Sequence, residues 1–207
     1  MGVRKERFLV WDALVLAGGA SRRMGRDKAA LRVEGMPLLE VQLRRAREAG
    51  AGGLWVACGV GGPPCEAGVE GVRWLADPAP DCGPWPGLMS GLRATEAGLL
   101  MVLAVDLPAM TPAFLGRLME ASGPGLGCVP ESGHGLEPLC AVYPVAQALG
   151  AAAEIEAGGH PSPCRLASRG IEAGWMRAMP LSAEDDRCLV NWNRPGDWPP
   201  GTEVRAG

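Results

Sequence analysis

Residues 13–17 read ALVLA, an unbroken apolar run that stops at the pair Gly18-Gly19. A strand with one wet face alternates polar and apolar residues. A continuous run marks a strand covered on both faces, and such strands belong to parallel sheets flanked by helices. The rest of the chain supplies the covering layers. Residues 37–49 (PLLEVQLRRAREA) place Leu38, Leu39, Val41, Leu43 and Ala46 on one side and arginines on the other, an amphipathic helix opened by proline. Further strands are expected at 54–58 (LWVAC), 72–75 (VRWL), 99–105 (LLMVLAV) and 139–143. Further helices are expected over 87–97 and 145–157, and after Thr111-Pro112, where a threonine cap precedes a proline in the first turn. The tail after Asp197 (WPPGTEVRAG) holds too much proline and glycine for assignment. Strand–helix alternation implies an α/β chain of three layers, with a mostly parallel central sheet and helices on both faces. A length of 207 residues suits one domain, 1–207, and 47% hydrophobic residues suffice for its core.

Composition narrows the function. Charged residues at 21% exclude a disordered chain, and a net charge of −3 argues against a broad nucleic-acid surface. The glycines (31) and prolines (19) follow no period, which excludes collagen and low-complexity linkers, and no internal repeat is found. The longest apolar runs are far short of a membrane span. The N-terminal apolar stretch is interrupted by Asp12 and leads into a glycine turn, so it reads as a first strand with a short leader and not as a signal peptide. The seven cysteines are odd in number and contain no C-x-x-C. Reduced, mostly buried thiols of a cytoplasmic protein are expected, with neither a zinc site nor a disulfide framework.

In open α/β sheets, ligands bind outside the carboxyl ends of the strands. Gly18-Gly19, Asp77 and Asp106 all fall at such ends and are expected to line one crevice. The loop at 16–28 (LAGGASRRMGRDK) is the most informative of the three. Its glycines let the backbone approach a ligand, successive amides in such a turn cradle anions, and Arg22, Arg23, Arg26 and Lys28 add charge where a triphosphate would lie. It contains no G-x-G-x-x-G, and its glycine spacing is not that of a P-loop. A solvated basic turn is the alternative; the buried strand before it and the paired glycines favour the phosphate reading. Asp106 ends the most apolar strand and suits magnesium, which takes one or two carboxylates plus substrate phosphates. Asp77-Pro78 admits a ligand role or a plain turn start. His134 and His160 are the only histidines; neither is assigned catalysis, and His134 (ESGHGLEP) is expected on a mobile surface loop. Trp85 is a candidate for lining the substrate site, while Trp11, Trp55 and Trp74 are expected in the core.

Leu16-Ala17-Gly18-Gly19-Ala20-Ser21-Arg22-Arg23-Met24-Gly25-Arg26-Asp27-Lys28 closely resembles the L-A-G-G-x-S-x-R-M-G-x-D-K signature of the molybdenum cofactor guanylyltransferases. Three further segments agree in order: 81–87 (DCGPWPG) with the family's G-P-x-x-G, 104–108 (AVDLP) with its C-D-x-P, and 191–197 (NWNRPGD) with its N-x-N-T-P-E-D, Arg194 replacing threonine. The resemblance runs from residue 14 to about 197. It departs at Ala57-Cys58-Gly59, where the family often has asparagine, and in a tail too short for the usual final helix.

The resemblance implies a Rossmann-like nucleotidyltransferase fold and transfer of GMP from GTP to molybdopterin, with pyrophosphate leaving. It implies nucleotide contacts at Leu16, Ala17, Gly18, Gly19, Lys28, Asp77 and Asp106, catalytic roles for Arg23, Lys28 and Asp106, and Mg2+ on Asp106. Gly83, Gly87, Asn191 and Asn193 are implied near the pterin, although Asn193 equally suits an Asx turn before Pro195. The implied partners are the two substrates and molybdenum cofactor assembly proteins, without nucleic acid or membrane. Three alternatives remain open: a cytidylyltransferase acting on the same pterin with CTP, a sugar-phosphate or terpenoid-precursor nucleotidyltransferase, and a non-catalytic nucleotide-binding module.

Overall fold

The computed structural model describes residues 10–18, 29, 31–33, 35–59, 68–76 and 83–191. In chain order the elements are β1 (Trp11–Leu16), β2 (Arg32–Val33), β3 (Met36–Pro37), α1 (Leu38–Glu48), β4 (Leu54–Cys58), β5 (Val72–Ala76), α2 (Trp85–Ala94), β6 (Leu99–Ala104) and α3 (Pro112–Glu120). They continue with β7 (Gly127–Ser132), β8 (Gly135–Leu136), β9 (Cys140–Pro144), α4 (Val145–Ala157), α5 (Pro163–Glu172), β10 (Met176–Pro180) and α6 (Ala183–Cys188).

The main sheet has the order β10-β7-β9-β6-β1-β4-β5, with β8 paired to β7 beside that row. β1 lies parallel to β4 and β6, β5 parallel to β4, and β10 parallel to β7. β9 runs antiparallel to β6 and β7. The chain reverses at the β7–β8 hairpin, and β9, which follows β8 after residues 137–139, keeps that direction, so both run antiparallel to β7. The sheet is therefore mostly parallel, and the fold is the expected three-layer α/β.

Alternate residues of β1 feed two separate cores. Ala13 and Val15 pack with Leu39 and Leu43 of α1 and Phe114 and Leu118 of α3. Leu14 and Leu16 pack with Leu88 and Leu92 of α2 and, farther out, Ala148 and Leu166 of α4 and α5. This double coverage is why the run carries no polar alternation. α2 can lie close to the sheet because its facing positions are glycines. A Cβ at Gly87 would meet Leu16 Cδ2 at 3.1 Å and Ala57 Cβ at 3.2 Å, and one at Gly91 would collide with the Leu14 side chain.

The amino end of β1 departs from the sequence reading. Asp12 is buried within the strand and fully used. Its Oδ1 accepts from the Gly53 amide at 2.8 Å, and its Oδ2 accepts from the Trp55 indole at 2.9 Å and the Thr95 hydroxyl at 2.7 Å. These bonds offset the cost of taking a carboxylate out of water. Thr95 also accounts for the end of α2, earlier than the expected residue 97. It adopts an extended backbone and accepts from the Ala97 amide. α3 starts as expected, with the Thr111 hydroxyl accepting from the Phe114 amide at 3.2 Å.

Candidate active site

β1 and β6 are in register to their last residues, with Leu16 opposite Ala104. Past that pair the Val105 amide donates to the Leu16 carbonyl at 3.2 Å, and on the other side the Ala17 amide donates to the Ala57 carbonyl at 2.9 Å. Gly18 and Asp106 each follow two residues beyond the paired Leu16 and Ala104. The structure thus brings Leu16, Ala17, Gly18 and Asp106 to one carboxyl edge. Leu16 and Ala17 commit their side chains to the core, so their contribution to a ligand is through the backbone. Gly18 is exposed and Asp106 half-buried. Gly19, Arg22, Arg23, Arg26, Lys28, Asp77 and Asn193 lie outside the described residues.

Asp106 leads into a short buried exit, Leu107-Pro108, that α1 holds from beneath. Gln42 Nε2 donates to the Leu107 carbonyl at 2.5 Å, and an Arg45 guanidinium nitrogen donates to the Pro108 carbonyl at 2.7 Å. Neither residue is among the site residues expected from the sequence. The signal was present, since Gln42 is a polar residue on the otherwise apolar face of α1.

The segment Ala57-Cys58-Gly59, where the sequence resemblance departs from its family pattern, presents no long polar side chain to this edge. The Ala57 methyl lies under Gly87 of α2, the Cys58 thiol donates to the Leu75 carbonyl at 3.4 Å, and Gly59 faces Gly18. Gly83 is exposed with φ +70°, and a Cβ there would touch nothing, so the backbone conformation alone calls for glycine. Gly87 is a packing position against the sheet. Trp85 is correspondingly not an open lining residue: it is buried, and its indole N–H donates to Glu156 Oε1 at 3.1 Å. Asn191 is exposed in irregular chain beyond α6 and not on a strand.

On the far side of β6 the edge is closed by the β8–β9 connection. The Ala104 amide donates to the Leu139 carbonyl at 2.7 Å, and the Tyr143 hydroxyl donates to the Pro138 carbonyl at 2.7 Å. Complete burial pushes the Tyr143 phenol far above its ordinary range, so it stays a donor. His134 is exposed in the turn of the β7–β8 hairpin, where its amide donates to Ser132 Oγ, whose hydroxyl donates to Glu137 Oε1 at 2.8 Å.

Among the described residues no group of three or more His, Cys, Asp or Glu side chains gathers to hold a metal. A strand-end carboxylate such as Asp106 is an oxygen donor of the kind magnesium takes, beside its own waters and substrate phosphates.

The chain matches the MobA-like NTP transferase domain over residues 13–167. It is 39% identical over 186 residues to a probable molybdenum cofactor guanylyltransferase of Opitutus terrae, covering 88% of this chain and 90% of that protein. A nucleotidyl transferase from Methanothermobacter thermautotroptrophicus has the same fold, with a TM-score of 0.69, 20% identity and coverage of 91% and 94% of the two chains. The molybdopterin-guanine dinucleotide biosynthesis protein A from Archaeoglobus fulgidus aligns with a TM-score of 0.62 and 21% identity, covering 90% of this chain and 94% of that one.

Proposed function

Because the chain belongs to the MobA-like NTP transferase family, we propose that it transfers GMP from GTP to molybdopterin, releasing pyrophosphate and forming the guanine dinucleotide cofactor. The observation that carries this reading is the adjacency of the glycine-loop entrance and Asp106. Leu16-Ala17-Gly18 and Asp106 leave neighbouring parallel strands at one edge, in a chain whose loop carries the signature quoted above.

The terminal phosphate of molybdopterin forms a bond to the α-phosphorus of GTP as the bond to the pyrophosphate oxygen breaks. The nucleophile is already anionic, so no strong general base is required. The protein's task is to align two polyanions and offset their repulsion. In this reading the loop amides after Gly18, Arg23 and Lys28 hold the triphosphate, with Asp77 beside the nucleotide. Asp106 would hold magnesium, which when bound would offset phosphate charge. Gly83, Asn191 and Asn193 belong to the pterin side. A cytoplasmic location is part of the proposal, supported among the described residues by the free thiols of Cys128, Cys140, Cys164 and Cys188. No helix among the described residues is long and apolar enough to cross a membrane.

The test is mass spectrometry of the product formed from molybdopterin, GTP and CTP together with Mg2+. A GMP adduct with stoichiometric pyrophosphate is expected. A CMP adduct would make the chain a cytidylyltransferase, and unreacted molybdopterin would overturn the proposal.

A further inference from the structure

Gln42 is completely buried on α1. Its Nε2 donates to the Leu107 carbonyl at 2.5 Å across 65 residues of chain, while among the described residues its Oε1 has no hydrogen-bond partner. Stability gives no reason for such a residue. Burying an amide with one end unpaired is unfavourable, and an apolar side chain of similar volume would fit the same core with less loss. Nor does the Leu107 carbonyl depend on Gln42 for a partner, because the Met110 amide already donates to it at 3.2 Å. What the Gln42 amide adds is a second, lateral restraint on the residue that follows Asp106. Arg45, three residues after Gln42 and so on the same side of α1, restrains the following carbonyl, that of Pro108, at 2.7 Å. Two side chains of one helix thus grip two consecutive carbonyls at the exit of β6.

We infer that Gln42 is a positioning residue that acts through Asp106, fixing the Asp106-Leu107-Pro108 exit so that the carboxylate is held in one orientation at the carboxyl edge. The inference rests on the reading of Asp106 as the metal ligand. The carboxylate of an unrestrained strand exit samples several orientations, and each unproductive one lowers both metal affinity and turnover. The helix that supplies the grip also packs on β1, where Leu39 and Leu43 meet Ala13 and Val15.

The experiment uses the full chain with Gln42→Met, Gln42→Leu, Asp106→Asn and the double variant Gln42→Met/Asp106→Asn. Three quantities are measured: thermal midpoint, pyrophosphate release, and Mn2+ affinity read by electron paramagnetic resonance with a non-hydrolysable GTP analogue. Both Gln42 variants should keep or raise the midpoint, while Mn2+ affinity and turnover fall roughly three- to thirtyfold. On the Asp106→Asn background, Gln42→Met should cause no further loss, because its effect passes through the missing carboxylate. The inference is overturned if the midpoint falls in both Gln42 variants, if the loss persists on the Asp106→Asn background, or if Gln42→Met keeps normal affinity and turnover while Asp106→Asn loses both. If Asp106→Asn itself keeps Mn2+ and turnover, the metal reading fails first, and the inference with it.

Discussion

Gly18 faces Gly59 so closely that a Cβ at Gly18 would meet the Gly59 amide nitrogen at 2.9 Å. Both partners are backbone, so no side-chain rotation relieves the contact. Gly18→Ala must therefore part the exits of β1 and β4. The expected loss of stability is about 1–3 kcal/mol, with weaker GTP binding because the amides beyond Gly18 move with it. Calorimetry and a GTP titration on the same preparation check this, and an unshifted midpoint would refute it.

Asp106→Asn keeps the side-chain shape and removes the anion. The protein should fold with a near-normal midpoint, while pyrophosphate release falls about a hundredfold or more and recovers only in part at high magnesium. If Asp106 only caps a turn, asparagine serves as well, and near-normal release would then exclude the metal role.

Lys28→Ala removes a charge assigned to the triphosphate. A hydrogen bond to a charged group contributes about 1.5–3 kcal/mol, so GTP affinity should weaken roughly ten- to hundredfold. An unchanged binding isotherm would sink the assignment.

Asp12 offers the opposite control. Asp12→Ala leaves the donors of Gly53, Trp55 and Thr95 without their acceptor, at a cost of about 3 kcal/mol or more. For a chain of this size the midpoint should drop by roughly 6–12 °C. Asp12 sits at the amino end of β1, so turnover per folded molecule should hold at low temperature. A normal midpoint would show that the carboxylate is dispensable.

Burial pushes the Cys128 thiol up to about 11 from an ordinary 9.0, opposed by the nearby Arg177 charge. The folded state resists losing this proton and the unfolded state does not. The contribution to stability is thus complete below pH 9 and is lost as pH rises toward 11. Denaturant midpoints measured across that range should fall less steeply in Cys128→Ala. Alkylation of the native protein should label the exposed Cys164 and spare Cys128 and Cys140, as peptide mass spectrometry would report.

Much of this architecture was legible because its signals are local. The strand at 54–58 and the helix at 145–157 fall where their apolar runs place them, and α3 begins at its threonine cap and proline. β7, α5, β10 and α6 are not among the elements expected from the sequence. Pro130 interrupts β7, and β10 is a short edge strand with little of its surface buried, so neither shows a clean period. The strand-end positions of Gly18 and Asp106 were legible because each follows an apolar run directly. Trp85 was misjudged because an aromatic residue beside Gly-Pro looks the same in sequence whether it faces a ligand or, as here, a glutamate on α4.

By itself the sequence determined the layers, the strand ends that form the edge, and the charge gathered in one loop, since these depend on period, caps and residue type within a few positions. Tertiary structure alone decided that β9 lies between β6 and β7, that Asp12 belongs to the core, and that Gln42 reaches Leu107. Each of these depends on groups far apart in the chain meeting in space. The free energy of such a meeting comes from burial and hydrogen bonding that exist only once the sheet is assembled and both of its faces are covered.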